Sequence, residues 1–163
     1  MKVGVSNNGE TIELEHGADV FPPSVASVIL LCSVNDADIK DKNTADIGCG
    51  TGYLGLGLLA RGAARLYGTD IQNKAIETAR KNAALNNFEN RSTFAVSDLC
   101  EPKIDEVDFT FKTDVVISNP PQTPNVLLAK ADSRFLGSAG GALGNDKILN
   151  VLEQSRRWLA ADG

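Results

Sequence analysis

The chain has 163 residues, a length that fits a single domain and can bury a core without disulfides or metal ions. Its net charge of −5 and its pI of about 4.9 argue against a large nucleic-acid partner, which usually meets a basic surface. Three cysteines without CxxC or Cys/His spacing indicate a reducing compartment and no metal site, and the lack of a leader or of an apolar run of about 18 residues predicts a cytoplasmic protein without membrane spans.

The first 40 residues predict a hairpin followed by a helix. Residues 3–5 and 11–14 have strand composition around the turn Asn7-Asn8-Gly9. Ser24 follows two prolines and is expected to cap a helix over 24–34, with an apolar face made of Val25, Val28, Ile29 and Leu31. We expect one domain over 1–163, in which residues 1–40 cover the functional site and residues 41–163 form the core.

Residues 41–163 alternate predicted strands with predicted helices. The strands are expected at 44–48, 65–70, 92–96 and 114–118, and the helices after Gly52, over 73–86 and over 145–160. This alternation predicts an α/β fold with a parallel, Rossmann-like sheet, helices on both faces and a ligand site at the carboxyl ends of the strands. The last helix has an apolar side containing Ile148, Leu149, Leu152 and Leu159. The turn after it would lead into another strand, so we expect that the chain lacks C-terminal strands of this sheet.

A glycine-rich turn, Asp46-Ile47-Gly48-Cys49-Gly50-Thr51-Gly52, follows the first core strand. Three glycines let the backbone turn tightly and let a ligand lie directly on the main chain. Amide groups at the start of the following helix point into the same place. Within this stretch Gly50, Gly52 and Gly55 match G-x-G-x-x-G, a pattern that on its own suggests a dinucleotide.

Acidic residues follow the next two strands. Asp70 ends the second core strand, 20 residues after Gly50, where a carboxylate can accept both hydroxyls of a ribose. Asp98 follows the third strand and is suited to accept a hydrogen bond from an adenine amino group. The structural alternatives are a helix cap or loop acid for Asp70 and an ordinary turn residue for Asp98.

The fourth core strand is followed by Ser118-Asn119-Pro120-Pro121-Gln122. The two prolines remove two backbone donors and hold the chain rigidly. Asn119 can then offer its side-chain oxygen, and Pro120 its carbonyl, to the two hydrogens of a planar NH2 group. The lone pair of that nitrogen would be aimed at an electrophilic methyl group, and the alternative is an ordinary Pro-Pro turn.

The order Asp46-x-Gly48-x-Gly50-x-Gly52, Asp70, Asp98 and Asn119-Pro120-Pro121 resembles class I methyltransferases of the HemK/PrmC-like small methyltransferase group. Val20-Phe21-Pro22-Pro23-Ser24 is similar to the family's segment before the first core strand, which helps to cover the cofactor. Gly140-Gly141-Ala142-Leu143-Gly144-Asn145-Asp146 is similar to the glycine-rich stretch before the late helix of glutamine methyltransferases. The resemblance covers the chain from about Asp19 to its end.

The resemblance implies a class I methyltransferase sheet that binds S-adenosyl-L-methionine and releases S-adenosyl-L-homocysteine. It implies cofactor-binding roles for Asp46, Gly48, Cys49, Gly50, Gly52, Asp70, Ile71, Asp98, Leu99 and Asn119. The glycine loop would cradle the methionine part, Asp70 would bind the ribose, and Ile71 and Asp98 would contact the adenine. Asn119, Pro120, Pro121 and Gln122 would form the catalytic turn that orients an acceptor nitrogen.

Gln122 departs from this pattern, because the family usually has an aromatic residue, commonly Tyr, after the two prolines. Loss of the ring removes stacking worth about 0.5–1.5 kcal/mol, whereas Gln122 could hydrogen-bond a polar acceptor. The acceptors left open are a protein glutamine of the release-factor or ribosomal-protein type, a base amino group and a small molecule. The acidic charge disfavours nucleic acid, and an activating partner subunit is a further expectation.

Two alternatives come from other functional classes. An NAD-dependent oxidoreductase would use G-x-G-x-x-G and Asp70 but leaves Asp98 and Asn119-Pro120-Pro121 unexplained. A non-catalytic, degenerate partner subunit would account for Gln122 and for the missing strands. Hydrolase chemistry is disfavoured because a Ser/His/Asp or Cys/His system would depend on the single histidine, His16.

Overall fold

A central sheet flanked by helices, with a separate N-terminal hairpin, forms the fold of the computed structural model. The structure describes residues 1–6, 9–17, 20–98, 101–102, 112–128, 139–161 and 163. The strands are β1 (Lys2–Gly4), β2 (Thr11–Glu13), β3 (Asn43–Ile47), β4 (Arg65–Asp70), β5 (Ser92–Asp98), β6 (Glu101–Pro102) and β7 (Val115–Ile117). The helices are α1 (Val25–Ser33), α2 (Asp36–Ile39), α3 (Tyr53–Ala60), α4 (Asn73–Leu85), α5 (Asn125–Leu128) and α6 (Asp146–Ser155).

The five-stranded sheet has the order β6-β5-β4-β3-β7, and β5, β4, β3 and β7 run parallel. Asp46 pairs with Gly68 of β4 on one side and with Ile117 of β7 on the other, so β3 lies between these two strands. The short β6 pairs antiparallel with the end of β5. Because the four long strands are parallel, their carboxyl ends meet at one edge, which is where an open α/β sheet binds its ligand.

Two apolar clusters cover the two faces of the sheet. The larger cluster joins the hairpin, α1, α3 and α4 to one face through residues such as Leu31, Leu56, Leu66, Ile76 and Phe94. On the other face Ala45 and Ile47 of β3 pack with Val151 of α6 and with Trp158. Alternation along β3 therefore sends successive side chains to opposite layers, and the expected parallel sheet with helices on both faces is confirmed.

The hairpin is tied to α4 by two asparagine side chains. Asn82 accepts a hydrogen bond from Glu15 N at 2.7 Å and donates to Glu15 O at 2.9 Å and to Thr51 O at 2.8 Å. Asn86 accepts from Glu13 N at 2.8 Å and donates to Glu13 O at 2.7 Å. The hairpin therefore pairs with side-chain amides in place of a neighbouring strand.

The last helix differs from the sequence expectation. It was expected over 145–160, but α6 ends at Ser155, and Leu159 forms a parallel bridge with Thr113 at the start of β7. Its expected apolar side was also wrong in part, because Leu149 and Leu152 are exposed while Val151 and Ser155 are buried. The backbone leaves the helix because the carbonyl of Trp158 accepts a hydrogen bond from Thr113 N at 2.8 Å.

The first helix starts as expected, with the Ser24 side chain accepting from Ser27 N at 3.1 Å. Its expected apolar face was wrong for Val25, Val28 and Ile29, which are exposed, whereas Leu31 and Ser27 are buried. The expected hairpin strands are confirmed within one residue, and the turn residues Asn7 and Asn8 lie outside the described residues. The short helices α2 and α5 were not predicted.

Across the described ranges, no helix combines the length and the apolar character needed to cross a membrane.

Candidate functional site

The candidate site lies along the carboxyl edge of the sheet, where four strand ends follow one another in space. The strand order puts Asp98 of β5 at one end, then Asp70 of β4, then the glycine turn after β3, and Asn119 after β7 at the other end. The topology therefore brings together the groups that the sequence singled out at four separated positions of the chain. Leu99, the other residue expected here, lies outside the described residues.

The glycine turn after β3 is a sharp turn with an open surface. Gly48, Gly50 and Gly52 have positive φ angles of 74°, 53° and 82°, which only glycine adopts without strain. The amides of Gly48 and Cys49 both donate to Thr69 O at 2.8 Å, so the turn is fixed to the end of β4. A Cβ atom at Gly48 or Gly50 would meet nothing within 4 Å. The main chain is therefore accessible to a ligand at these two residues.

Asp46 is a fully buried carboxyl group directly below this turn. Its Oδ2 accepts a hydrogen bond from Gly55 N at 3.0 Å, and this bond holds the start of α3 against β3. Its Oδ1 is buried with no hydrogen-bond partner. Burial raises the pKa of Asp46 to about 7, against the lowering effect of the Gly55 amide, and the charge of Asp70 raises it further. A buried acceptor left open in this way fits a ligand that brings a cation or a donor.

Asp70 connects the ends of β3 and β4. Its Oδ2 accepts from Gly50 N at 2.9 Å and its Oδ1 from Gln72 N at 2.9 Å. Burial raises the pKa of Asp70, and the backbone N–H groups of Gln72 and Gly50 oppose that rise. Each carboxylate oxygen keeps a further lone pair, so ribose hydroxyls can still bind. Ile71, the next residue, is 64% exposed and offers an apolar surface beside this carboxylate.

Asp98 lies at the far end of the same edge. It is the last residue of β5, is exposed, and pairs with Glu101 of β6. Its backbone is fixed by the sheet while its carboxylate faces solvent, which suits contact with a polar edge of a ligand.

Asn119 belongs to the turn that follows β7. Its Nδ2 donates to Ser27 Oγ at 2.9 Å and to Ser24 Oγ at 3.2 Å, and its Oδ1 accepts from Gln122 Nε2 at 3.3 Å. Ser118 Oγ donates to Ile47 O at 2.6 Å, so the turn is also joined to β3. The amide of Asn119 thus has its nitrogen toward α1 and its oxygen toward Gln122.

The glycine-rich segment before α6 supports this turn from behind. Gly140 N donates to Thr123 O at 2.9 Å, and Asn125 N donates to Gly141 O at 2.9 Å. A Cβ atom at Gly140 would lie 2.7 Å from Pro121 O, and one at Gly144 would lie 2.3 Å from Gln122 O. Glycine is required at both positions because the backbone of the Pro-Pro turn passes so close.

Other candidate chemistries find no support among the described residues. They contain no group of three or more His, Cys, Asp or Glu side chains that could hold a metal ion. Burial raises the pKa of the Cys49 thiol well above its usual range, which makes it a poor nucleophile. His16 is exposed in the segment after β2.

Sequence reasoning missed two groups that the structure brings to the site. Ser27 was passed over, although Ser24 was recognised as a helix cap and both hydroxyls contact Asn119. Asn82 was also missed, although it binds the carbonyl of Thr51 in the glycine turn. Asn82 had a signal in the sequence, as a polar residue on the apolar side of the helix predicted over 73–86, whereas Ser27 lay off the predicted apolar face and had none.

The parallel sheet, the glycine turn after β3 and the match to a methyltransferase family together identify the chain as a class I, S-adenosylmethionine-dependent methyltransferase. The chain belongs to the methyltransferase small domain family, whose match covers residues 22–157. S-Adenosylmethionine is the cofactor of this class, so the expected enzyme class and cofactor are confirmed. The literal G-x-G-x-x-G match therefore belongs here to a methyltransferase.

Several named relatives are similar to the chain. A Methanocaldococcus jannaschii protein, provisionally named a protein N5-glutamine methyltransferase, is 34% identical over 156 residues, which cover 94% of this chain and 74% of the relative. The ribosomal protein L11 methyltransferase of Acinetobacter baumannii is 32% identical over 79% of this chain and 42% of the relative. The tRNA1(Val) (adenine(37)-N6)-methyltransferase of Phocaeicola vulgatus is 32% identical over 68% of this chain and 45% of the relative. The chain thus spans less than half the length of the last two.

Solved structures support the fold. The structure described as precorrin 8w decarboxylase of Methanobacterium thermoautotrophicum has a TM-score of 0.60 at 18% identity, over 92% of this chain and 66% of that chain. Arabidopsis thaliana protein arginine methyltransferase 10 has a TM-score of 0.54 at 20% identity, over 78% of this chain and 30% of that chain. At this identity the likeness concerns the arrangement of strands and helices alone.

Proposed function

We propose that the chain catalyses N-methylation of a carboxamide, with a protein glutamine as the acceptor. The observation that carries this proposal is the amide of Asn119, whose nitrogen donates to Ser24 and Ser27 and whose oxygen accepts from the side-chain amide of Gln122, as it would from an incoming NH2 group. The name of the relative that is 34% identical supports a glutamine acceptor. The L11 and tRNA methyltransferase relatives make other protein and base amino groups the competing acceptors.

The described residues fit S-adenosylmethionine on three observations. The main chain of the glycine turn is open at Gly48 and Gly50, as binding of the methionine part through Gly48, Cys49, Gly50 and Gly52 requires. The open Oδ1 of Asp46 fits the amino cation of that part. Asp70 is held by two backbone amides in a position to bind ribose hydroxyls. In this proposal Ile71 packs on the adenine, and Asp98 and Leu99 contact its edge.

When bound, S-adenosylmethionine supplies an electrophilic methyl group on a sulfonium. The chain's own contribution is to hold the acceptor. Asn119 Oδ1 takes one hydrogen of the acceptor NH2 and the Pro120 carbonyl takes the other, which leaves the nitrogen lone pair directed away from both. Pro120 and Pro121 keep this turn rigid because neither can rotate about φ. Such positioning can contribute about 7–11 kcal/mol, and the acceptor proton leaves to solvent after transfer.

Gln122 extends this description to the acceptor. Its side-chain amide donates to Asn119 Oδ1 at 3.3 Å. This is the hydrogen bond that the amide of the acceptor glutamine is proposed to make. An incoming amide has to displace this contact. In the same proposal residues 1–40 form the part of a single domain that covers the site, because Ser24 and Ser27 of this region contact Asn119.

Calorimetry with S-adenosylhomocysteine tests the cofactor half of the proposal, with NAD as the competing ligand. We expect binding of S-adenosylhomocysteine and none of NAD. Asp70→Ala should weaken that binding by about tenfold or more, since it removes a charged hydrogen-bond acceptor. Asp114→Ala is a matched control, because Asp114 also accepts a backbone amide, that of Asn43 at 2.8 Å, away from the site.

Methyl transfer from labelled S-adenosylmethionine to a glutamine-containing peptide with blocked termini tests the acceptor half. We expect labelled peptide with the wild type and its loss with Asn119→Ala. Cofactor binding without transfer to the peptide, to RNA or to a free amine would favour the non-catalytic alternative. Binding of NAD in place of the sulfur compounds would contradict the proposal altogether.

A further inference from the structure

We propose that Ser27, assisted by Ser24, is a positioning residue that fixes which way the amide of Asn119 faces. This inference rests on the proposed N-methylation, because it assigns to α1 the orientation of the group that holds the acceptor nitrogen. The two serines lie at the start of a helix that is more than 90 residues away along the chain from Asn119. They therefore link the N-terminal region to the acceptor end of the sheet edge.

The nitrogen end of the Asn119 amide is held by both serine hydroxyls. Ser27 Oγ lies 2.9 Å and Ser24 Oγ 3.2 Å from Asn119 Nδ2, so both hydroxyl oxygens accept from the amide nitrogen. The two hydroxyls lie 3.1 Å from each other, and Ser24 Oγ also accepts the Ser27 backbone amide at 3.1 Å. Ser27 is buried, at 9% exposure, which is unusual for a serine on the side of a helix.

The orientation matters because an asparagine amide has two faces of opposite character. The last torsion of the side chain is broad and roughly two-fold, so rotation by half a turn exchanges the oxygen and the NH2 group. With the NH2 group toward the serines, the oxygen is the acceptor offered to the substrate side. In the reverse orientation Asn119 would present donors to an acceptor NH2, which has only donors of its own at that position.

The serine pair makes the reverse orientation unfavourable. One hydroxyl proton is shared between the two serines, and Ser24 Oγ already accepts from a backbone amide. The second hydroxyl proton can still donate once to an amide oxygen, whereas both serine oxygens accept from the Asn119 nitrogen in the observed orientation. The reverse orientation would therefore keep one contact in place of two. The rigid Pro-Pro turn fixes the backbone of Asn119, and the serines fix its side chain.

The test compares Ser27→Thr, which keeps the hydroxyl, with Ser27→Val, which has nearly the same shape and lacks it. Ser27→Ala removes the hydroxyl without adding volume and must agree with Ser27→Val. Ser33→Ala is the control on the same helix, since the Ser33 hydroxyl donates only to Leu30 O among the described contacts. All variants are made in the 163-residue chain, loaded with S-adenosylhomocysteine and checked for folding by Trp158 fluorescence.

The first readout is hydrogen exchange of the Asn119 side-chain amide, measured by 15N NMR and assigned by its loss in Asn119→Ala. We expect Ser27→Val and Ser27→Ala to speed this exchange about two- to tenfold, the value of one neutral hydrogen bond. Ser27→Thr and Ser33→Ala should leave it as in the wild type. Equal exchange in the Val and Thr variants would overturn the inference.

The second readout is methyl transfer to the blocked glutamine peptide. We expect kcat to fall about ten- to a hundredfold in Ser27→Val, since a misplaced reacting group costs this much, while KM for S-adenosylmethionine stays unchanged and Ser27→Thr restores kcat. Equal loss in the Thr and Val variants would indicate a packing role and contradict positioning. If the wild type methylates no peptide, the proposed function fails, and the exchange measurement still decides the role of Ser27.

Discussion

Asp46 is a carboxyl group whose surroundings oppose its own charge. One oxygen is bound by Gly55 and the other has no partner, and burial raises its pKa to about 7. In the free protein the neutral acid is therefore favoured up to about neutral pH. The amino cation of a bound cofactor would reverse this preference, because an opposite charge favours the ionised carboxylate. The same residue would then cost stability in the free protein and contribute to binding.

Stability and binding should consequently respond to pH in opposite directions. Between the unfolded pKa of 3.8 and the folded pKa of about 7 the folded chain binds the extra proton, so stability falls as pH rises through this window. Asp46 would contribute as much as about 4 kcal/mol to that fall. Its full contribution to the free energy of unfolding is present only below the unfolded pKa of 3.8. Affinity for S-adenosylmethionine should rise over the same window.

Asp46→Asn separates the two effects, because the amide is neutral at every pH and can still accept from Gly55. We expect the variant to be more stable than the wild type at both pH 8 and pH 5, with the smaller difference at pH 5, because the wild type begins to lose stability above the unfolded pKa of 3.8. Its cofactor binding should be weaker at pH 8. Urea unfolding followed by Trp158 fluorescence and calorimetry at both pH values measure this. Unchanged cofactor affinity at pH 8 would show that Asp46 acts only on the fold.

In the proposed function Gln122 lies where the acceptor binds. If the acceptor is a planar amide, Gln122→Tyr should lower its KM about two- to tenfold, since ring stacking contributes about 0.5–1.5 kcal/mol. The change also removes the amide that donates to Asn119 Oδ1. Steady-state kinetics with the blocked glutamine peptide measure the effect, and Gln122→Ala separates loss of the contact from gain of the ring. A rise in KM for Gln122→Tyr would indicate an acceptor that needs the glutamine.

At the scale of elements, α4 binds the hairpin because one turn of a helix is nearly as long as two residues of an extended strand. Asn82 and Asn86 are one helical turn apart, at a spacing of about 5–6 Å, and alternate strand residues are spaced by about 6.6 Å. Each asparagine can therefore pair with the N–H and C=O of one residue, Glu15 and Glu13 respectively. Two side chains of the helix thus make the paired hydrogen bonds that a neighbouring strand would make in a sheet.

The contacts of Asn82 and Asn86 should contribute different amounts to the free energy of unfolding. Asn82 is fully buried and also binds Thr51 O, so Asn82→Ala leaves buried backbone groups without partners. We expect a loss of about 2–3 kcal/mol for Asn82→Ala and about 1 kcal/mol or less for the more exposed Asn86→Ala. Urea unfolding of the two variants measures the difference. Equal losses would mean that burial of Asn82 adds nothing to the attachment of the hairpin.

Helices and strands with a clear periodicity of apolar residues were predictable from the sequence. Those whose length or end depends on tertiary contacts were not. Apolar residues at strand or helix spacing predict the strands that end near Asp46 and Asp70 and the helix over 73–85. Because the strands are parallel, their carboxyl ends are predicted to meet at one edge of the sheet. The helices α2 and α5 have four residues each, too few for a period to show. The end of α6 depends on a backbone hydrogen bond between Thr113 and Trp158, which no local pattern contains.

The candidate site divides in the same way. The glycine turn, Asp70 and Asn119 were recognisable because their residue types restrict the backbone or bind ligands at strand ends. Ser27 and Asn82 were not, because a polar residue on a helix becomes informative only when its burial and partners are known. The role of Asp46 was only half visible, since its unpaired oxygen is a property of the folded structure.

At the scale of the whole molecule, charge limits the choice of acceptor. The net charge is −5, and two arginines donate hydrogen bonds to backbone carbonyl groups at the ends of helices and loops. Arg61 donates to Leu31 O and Val34 O, and Arg91 donates to Leu59 O and Ala63 O. These contacts hold loop and helix ends together and engage both guanidinium groups, although only the Arg61 side chain is buried, at 5% exposure, and Arg91 is exposed.

We therefore expect weak binding of RNA. Fluorescence anisotropy with a labelled transfer RNA at about 0.15 M salt should give a dissociation constant no tighter than about 10 μM, within the range of non-specific binding. The blocked glutamine peptide, which carries no phosphates, is the comparison ligand. Tighter RNA binding with a steep dependence on salt would favour a base amino group as the acceptor.

The order of strand ends along the sheet edge has a consequence for how such a protein can change. In the proposed function the cofactor is held by residues between Asp46 and Leu99. The acceptor turn is formed and supported by residues between Ser118 and Asp146, apart from the serines at the start of α1. The two stretches do not interleave along the chain. Specificity could accordingly be transplanted by exchanging one continuous segment between relatives, provided that the serine pair travels with the asparagine it orients.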